Sequence, residues 1–215
     1  MYENLTLGAS VSCFDLIDIK SQLAQVEKAR VDFLHYDVVD GRFNRCFILG
    51  LPLLKAIRAH TRLPIEVHLA VHEPELFIEQ FANEGADLIS IHPEGTGNLL
   101  KAFDLIRRCK AVPALALRSE TGPSEAILEA AGQAAYIIKL TVNPGFSGQT
   151  MQEAALGRMA ALREALDARG IRTRIAADGN VNAATIPTMV AHGADMLIGG
   201  TSGLFRPGKT IAEQA

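Results

Sequence analysis

The chain has 215 residues, 48% of them hydrophobic and 21% charged, with a formal net charge of −3. That length suits a single domain with a full core, and the near-neutral charge excludes an electrostatically driven nucleic-acid binder. No apolar run reaches the ~18 residues of a membrane span, and the acidic start MYENLTLGASVSCFDLID has no cationic segment and does not read as a secretory signal.

Short β-branched runs alternate with amphipathic stretches from end to end. Strands are expected at Leu7–Ser12, Phe33–Val38, Ile65–Ala70, Leu88–His92, Pro113–Leu117, Tyr136–Val142, Arg174–Asp178 and Met196–Gly199. Helices are expected at Ile19–Ala29, Pro52–His60, Pro74–Asn83, Asn98–Cys109, Pro123–Ala131, Gln152–Arg169 and Ala183–His192. Such alternation predicts α/β architecture with a parallel sheet, and its regularity predicts closure into a (β/α)₈ TIM barrel, one domain over residues 1–215. Gly85-Ala86-Asp87 and Gly193-Ala194-Asp195 repeat a helix stop before a strand. After the last strand, GKTIAEQA allows a final helix of only about two turns. A helix that short leaves part of the wall uncovered: either another subunit covers it or the chain has been shortened, and a homo-oligomer is expected. Cys13, Cys46 and Cys109 are odd in number and far apart, as for reduced thiols in a cytoplasmic protein.

Four polar residues stand where apolar runs give way to loops: His35 and Asp37 in VDFLHYDVVDG, His68 in LPIEVHLAV, and Asp178 in RTRIAADGNV. In a barrel, residues at the C-terminal ends of strands converge on one mouth, where chemistry sits. His35 and Asp37 are two apart and share a face, while Tyr36 points to the helices. Two imidazoles and two carboxylates in one mouth make a mixed N/O site for one divalent cation, with Zn²⁺, Fe²⁺, Mn²⁺ and Co²⁺ all compatible. The two carboxylates can also serve as acid and base. His60, His72 and His192 fall on or beside helices and read as surface residues.

LTVNPGFSGQ, from Leu140 to Gln149, ends a strand in a turn whose Gly145 and Gly148 free backbone N–H groups to face an anion. Asp178-Gly179-Asn180 and the IGGTSG cluster from Ile198 to Gly203 follow the next two strands. Small-residue loops at neighbouring strand ends form a phosphate grip in many barrels, with amide dipoles replacing lysine or arginine.

The elements SVSCFD, HYDVVDG, VHLAVHEPE, IHPE, LTVNPGFSGQ and ADGNVN occur in the order and spacing of the ribulose-phosphate 3-epimerase superfamily. The chain resembles that family over essentially its whole length, and VNPGFSGQ is the most specific element. The resemblance implies that His35, Asp37, His68 and Asp178 bind the metal and that Asp37 and Asp178 are the catalytic pair. It implies substrate and phosphate contacts at Ser10, His68, Gly145, Phe146, Ser147, Gly148, Gly179, Asn180, Gly200 and Thr201. The chain departs from the family pattern where Val39, Ala70 and Leu140 replace methionines. It departs also where DGRFNRC stands for DGHFVPN, DGN for DGG, and Ser147 for a glycine. The segments IHPEGTG and GGTSGLF are closer to the allulose-6-phosphate 3-epimerase branch.

The expected reaction inverts C3 of a ketose phosphate, with ribulose 5-phosphate the leading substrate and allulose 6-phosphate the alternative. A cation at O2 and O3 stabilises the enediolate; a base on one face and an acid on the other complete the inversion. The resemblance implies Asp37 as base and Asp178 as acid. Two rival readings are a Schiff-base lyase or synthase, for which Lys139 is the one strand lysine and could point inward, and a non-catalytic sugar-phosphate binder. Neither the expected reaction nor its rivals involve a nucleic acid or a membrane as partner.

Overall fold

Eight parallel strands close into a barrel in simple sequence order. They are β1 (Thr6–Ser10), β2 (Phe33–Val39), β3 (Ile65–Ala70), β4 (Leu88–Ile91), β5 (Val112–Leu117), β6 (Tyr136–Leu140), β7 (Arg174–Asp178) and β8 (Met196–Gly199). The structure, a computed structural model, describes residues 5–143, 145 and 148–215. Of the expected substrate contacts, Phe146 and Ser147 lie outside the described residues. Seven helices alternate with the strands: α1 (Ile19–Lys28), α2 (Leu51–Arg58), α3 (Ile78–Asn83), α4 (Leu99–Arg108), α5 (Glu125–Ala131), α6 (Glu153–Ala168) and α7 (Ile186–Ala191). None of the described helices is long and apolar enough to cross a membrane.

The strands are buried on both faces, so they read as continuous apolar runs rather than alternating ones. Outward residues such as Leu34, Tyr36, Val67, Ile89, Leu115 and Ile137 pack beneath the helices in one large cluster. Inward residues from Phe33, Ala114, Ala116, Tyr136, Ile138, Ala176, Met196 and Ile198 fill the barrel in a second. Tyr36 points to the helices as expected, and its hydroxyl donates to the Gly50 carbonyl at 2.7 Å.

Three boundaries moved for local reasons. The expected helix from Pro74 splits into a single turn (Pro74–Leu76) and α3, and the residue before that turn, Glu73, is left-handed at φ 52°. The helix expected from Ala183 begins at Ile186, because the Asn182 side chain accepts from the N–H groups of Ala184 and Thr185 and holds a turn there. The final helix shrinks to one turn, Ile211–Glu213, capped reciprocally by Thr210 and Glu213. That turn lies against α1 with Ile211 buried, so it covers part of the wall that a short helix was expected to leave bare.

Lys139 was expected to be able to face the barrel interior, and this is corrected. Leu140 and Val142 line the mouth, so by strand alternation Lys139 and Thr141 face outward. The Lys139 ammonium is fully buried and donates to the carbonyls of Arg118, Ser119 (3.1 Å) and Thr121 (2.8 Å). Its three N–H donors meet three acceptors, which fastens the loop between β5 and α5. Burial draws its pKa down from 10.5 to about 8.

Candidate active site

Strand register assembles the site. In the β1–β2 ladder Ser10 lies beside His35, in β2–β3 His35 lies beside Glu66 and Asp37 beside His68, and in β6–β7 Leu140 lies beside Asp178. His35, Asp37, His68 and Asp178 each present a ligand atom within 4.8 Å of the others. His35 Nε2 is 2.9 Å from Asp37 Oδ1 and 3.8 Å from Asp178 Oδ2, and His68 Nδ1 is 3.0 Å from Asp37 Oδ1. A transition-metal cation with bonds of about 2.0–2.2 Å holds N and O ligands at this mutual spacing. The donor set therefore fits a divalent cation of the kind the sequence suggested.

Residues behind the four were not singled out from sequence. Glu66 is fully buried; its Oε2 is 2.5 Å from His35 Nδ1, and its Oε1 accepts from Ser90 Oγ at 2.5 Å. A carboxylate on the far nitrogen is the usual device for orienting a metal-binding histidine. Ser12 Oγ donates to Asp37 Oδ2 at 2.9 Å, with Ser10 Oγ 3.3 Å from the same oxygen. His92 is fully buried, with Nε2 2.8 Å from His68 Nε2. Alternation carries the signal for Glu66, since it is two residues from His68 and faces the same way.

The two carboxylates differ in charge preference. Burial alone would raise Asp37, but the His35 imidazolium, then His68, hold it well below the usual carboxylate range. For Asp178 burial prevails: it rises from 3.8 to about 6, with His35 pulling back and the charge of Asp37 adding to the rise. Asp178 thus holds its proton to a higher pH than Asp37 does. His35 is pushed well above 6.5, as the attraction of Asp37 and Glu66 overcomes burial. Burial lowers His92 to about 4 against the opposing pull of Glu94.

A cavity of about 280 Å³ opens above these groups. Its lining includes Ser10, Asp37, His68 and Asp178 together with Gly145, Gly148, Gly179, Asn180, Gly200 and Thr201. The described members of the expected contact set are therefore gathered in one place, with His35 just beneath. Two glycines here are required by geometry. A Cβ on Gly145 (φ 99°) would lie 2.3 Å from Cys46 Sγ, and one on Gly179 (φ 108°) would lie 2.6 Å from Val142 Cγ2. Val39 and Ala70 form an apolar corner against Phe43, Cys46 and Ile48 of the loop after β2. His60 is exposed and His72 and His192 are half-buried, all outside the site. Cys13, Cys46 and Cys109 are unpaired.

The Ribulose-phosphate 3 epimerase family profile matches residues 6–205. The ribulose-phosphate 3-epimerase of Aquifex aeolicus (strain VF5) is 34% identical over 199 residues, covering 93% of this chain and 89% of that protein. That of Methanocaldococcus jannaschii is 33% identical, covering 90% and 82%. That of Bacillus subtilis (strain 168) is 31% identical, covering 92% and 91%. Among solved structures, a 3-hexulose-6-phosphate synthase superposes with a TM-score of 0.69 at 16% identity, covering 98% of this chain and 96% of that one. A mutant tryptophan synthase alpha-subunit from Pyrococcus furiosus superposes at 0.65 and 11% identity, covering 98% and 93%. At those identities the structural likeness speaks for the barrel alone. The sequence matches go further: this chain belongs to the ribulose-phosphate 3-epimerase family and is an isomerase of the carbohydrate-epimerase class.

Proposed function

We propose that the protein inverts C3 of ribulose 5-phosphate to give xylulose 5-phosphate, with Asp37 and Asp178 as the acid/base pair. The observation that carries this is that the two carboxylates, from β2 and β7, reach the same His35 nitrogen at 2.9 and 3.8 Å, yet their pKa values are moved in opposite directions. Inversion needs a proton removed from one face of a planar enediolate and returned to the other, which one carboxylate cannot do. Asp37, ionised and held by Ser12, takes the C3 proton in one direction. Asp178, protonated, delivers a proton to the opposite face, and the roles exchange in reverse.

His35, Asp37, His68 and Asp178 are the residues that would hold the divalent cation. When bound, such a cation supplies Lewis-acid stabilisation of the charge that develops at O2 and O3. Ser10 and His68 orient the sugar, and the amides around Gly145, Gly148, Gly179, Asn180, Gly200 and Thr201 grip its phosphate, with Phe146 and Ser147 assigned there from sequence alone. The setting we propose is the cytoplasm, with the chain as a homo-oligomer.

Phe43, Cys46 and Ile48 occupy the corner beside Val39 and Ala70, which favours the five-carbon substrate over a longer one. Turnover of ribulose 5-phosphate and allulose 6-phosphate, measured side by side in heavy water, tests the assignment. Deuterium at C3 with inversion of the pentulose is expected. No C3 exchange from either phosphate by metal-loaded protein refutes it.

A further inference from the structure

We infer that His92 and Glu94 are positioning residues that hold the His68 proton on Nε2 when Nδ1 binds a cation. The inference rests on the metal-centre reading above and extends it to two residues outside the ligand set. His68 turns Nδ1 toward Asp37 at 3.0 Å and Nε2 toward His92 Nε2 at 2.8 Å. Two ring nitrogens at that distance share one proton: one donates and the other accepts. Without a cation the Asp37 carboxylate favours N–H at His68 Nδ1; when that nitrogen instead gives its lone pair to a cation in the mouth, the ring proton must sit on Nε2. His92 Nε2 must then accept, and the His92 proton must lie on Nδ1.

That Nδ1 is buried and has no hydrogen-bond partner; the Glu94 carboxylate lies 3.5 Å away. A carboxylate is the neighbour that favours N–H over a bare lone pair at that atom. The proton order therefore runs from Glu94, through Nδ1–H of His92, to Nε2–H of His68, and ends on a free Nδ1. The surroundings hold each member in place. The Phe43 ring lies 4.8 Å from the His92 ring, centre to centre, and the Arg118 guanidinium sits 4.4 Å over Phe43. Thr121 donates to Glu94 and gives its carbonyl to Lys139, so the outward lysine on β6 secures the far end of the chain. His35 reaches the same end by a shorter route, with Glu66 directly on Nδ1 and Nε2 left for the mouth. The two histidines thus use opposite nitrogens, and each is set by its own carboxylate.

The test is nitrogen-15 NMR of histidine-labelled, zinc-loaded protein without substrate, which reads the protonated nitrogen of each ring, together with zinc affinity by chelator competition. Wild-type His68 is expected to carry its proton on Nε2 and His92 on Nδ1. His92→Phe removes the acceptor but keeps a ring against Phe43; it should weaken zinc binding by about 10- to 100-fold. His92→Gln, which retains an acceptor oxygen, should recover part of that loss. Glu94→Gln, on a partly exposed residue, should shift the His92 tautomer with the fold intact. Zinc-loaded wild-type protein with the His92 proton on Nε2 would overturn the inference, as would an unchanged zinc affinity in His92→Phe. Both readouts are independent of turnover, so an inactive wild-type protein would defeat the proposed function without touching this result.

Discussion

The two halves of the barrel interior are built from different chemistry. Strands β2 to β4 turn inward His35, Asp37, Glu66, His68 and Ser90, with His92 just beyond, all in mutual contact through short polar links. Strands β5 to β8 turn inward Ala114, Ala116, Tyr136, Ile138, Ala176, Met196 and Ile198, and add one carboxylate, Asp178, at the rim. Asp37 therefore ionises readily among imidazoles, while Asp178, on the apolar side, holds its proton up to about pH 6. In the proposed reaction base and acid differ by the wall each carboxylate belongs to. The loops proposed to grip phosphate follow the apolar wall, where amide groups alone can serve an anion.

The most damaging break of this division is at the carboxylates. Asp37→Asn and Asp178→Asn should each lower epimerisation by about 10²–10⁴-fold, compared on metal-loaded protein by a coupled assay for xylulose 5-phosphate. They should differ in kind: Asp178→Asn should still wash deuterium into unreacted substrate, since Asp37 can remove and return a proton on its own face. Near wild-type epimerisation by metal-loaded Asp178→Asn rules out the two-carboxylate scheme.

Making the polar wall resemble the other is the next test. Glu66→Leu leaves His35 buried without its Nδ1 partner, and should reduce metal affinity by about 10- to 100-fold. Metal analysis after dialysis against a graded chelator reads this; wild-type retention would show that Glu66 does not orient the ligand. On the far wall, Gly148→Val at φ 77° should raise KM for the sugar phosphate more than it lowers kcat. Inorganic phosphate should compete with substrate in the native protein and less well in the variant; equal inhibition constants would remove Gly148 from the grip.

The smallest effect concerns Lys139, outside both walls. Its pKa is about 8 when folded and 10.5 as the ordinary value, so the unfolded chain binds more proton between those pH values. Stability should then rise with pH across that window, by at most about 1.4 kcal/mol per pH unit. Denaturant midpoints of wild type and Lys139→Met, measured from pH 7 to 10, should show wild type gaining on the variant above pH 8. A constant difference would mean that the three carbonyls fully offset burial of the charge.

Much of this was legible because strand ends announce themselves. β3, β7 and β8 fall on the expected residues, and the four candidate ligands are polar residues that end apolar runs. What stayed hidden depends on facing and on partners that are distant in sequence. Lys139 and Leu140 are adjacent, and only closure of the barrel shows which one turns inward. Glu66 sits inside a run of apolar residues, where its charge looks like an exception until His35 from another strand is brought against it. His92 was visible as a strand end, but its link to His68 requires the β3–β4 register.

Glu66 also bears on how such a chain can change over generations. It occupies a fully buried core position that a branched aliphatic residue would fill equally well for packing. Ordinary neutral drift among hydrophobic residues is closed to it, because each such change strips His35 of its partner. Selection on chemistry would thus reach below the mouth into the interior of the barrel, and position 66 is expected to vary less than its packing alone would allow.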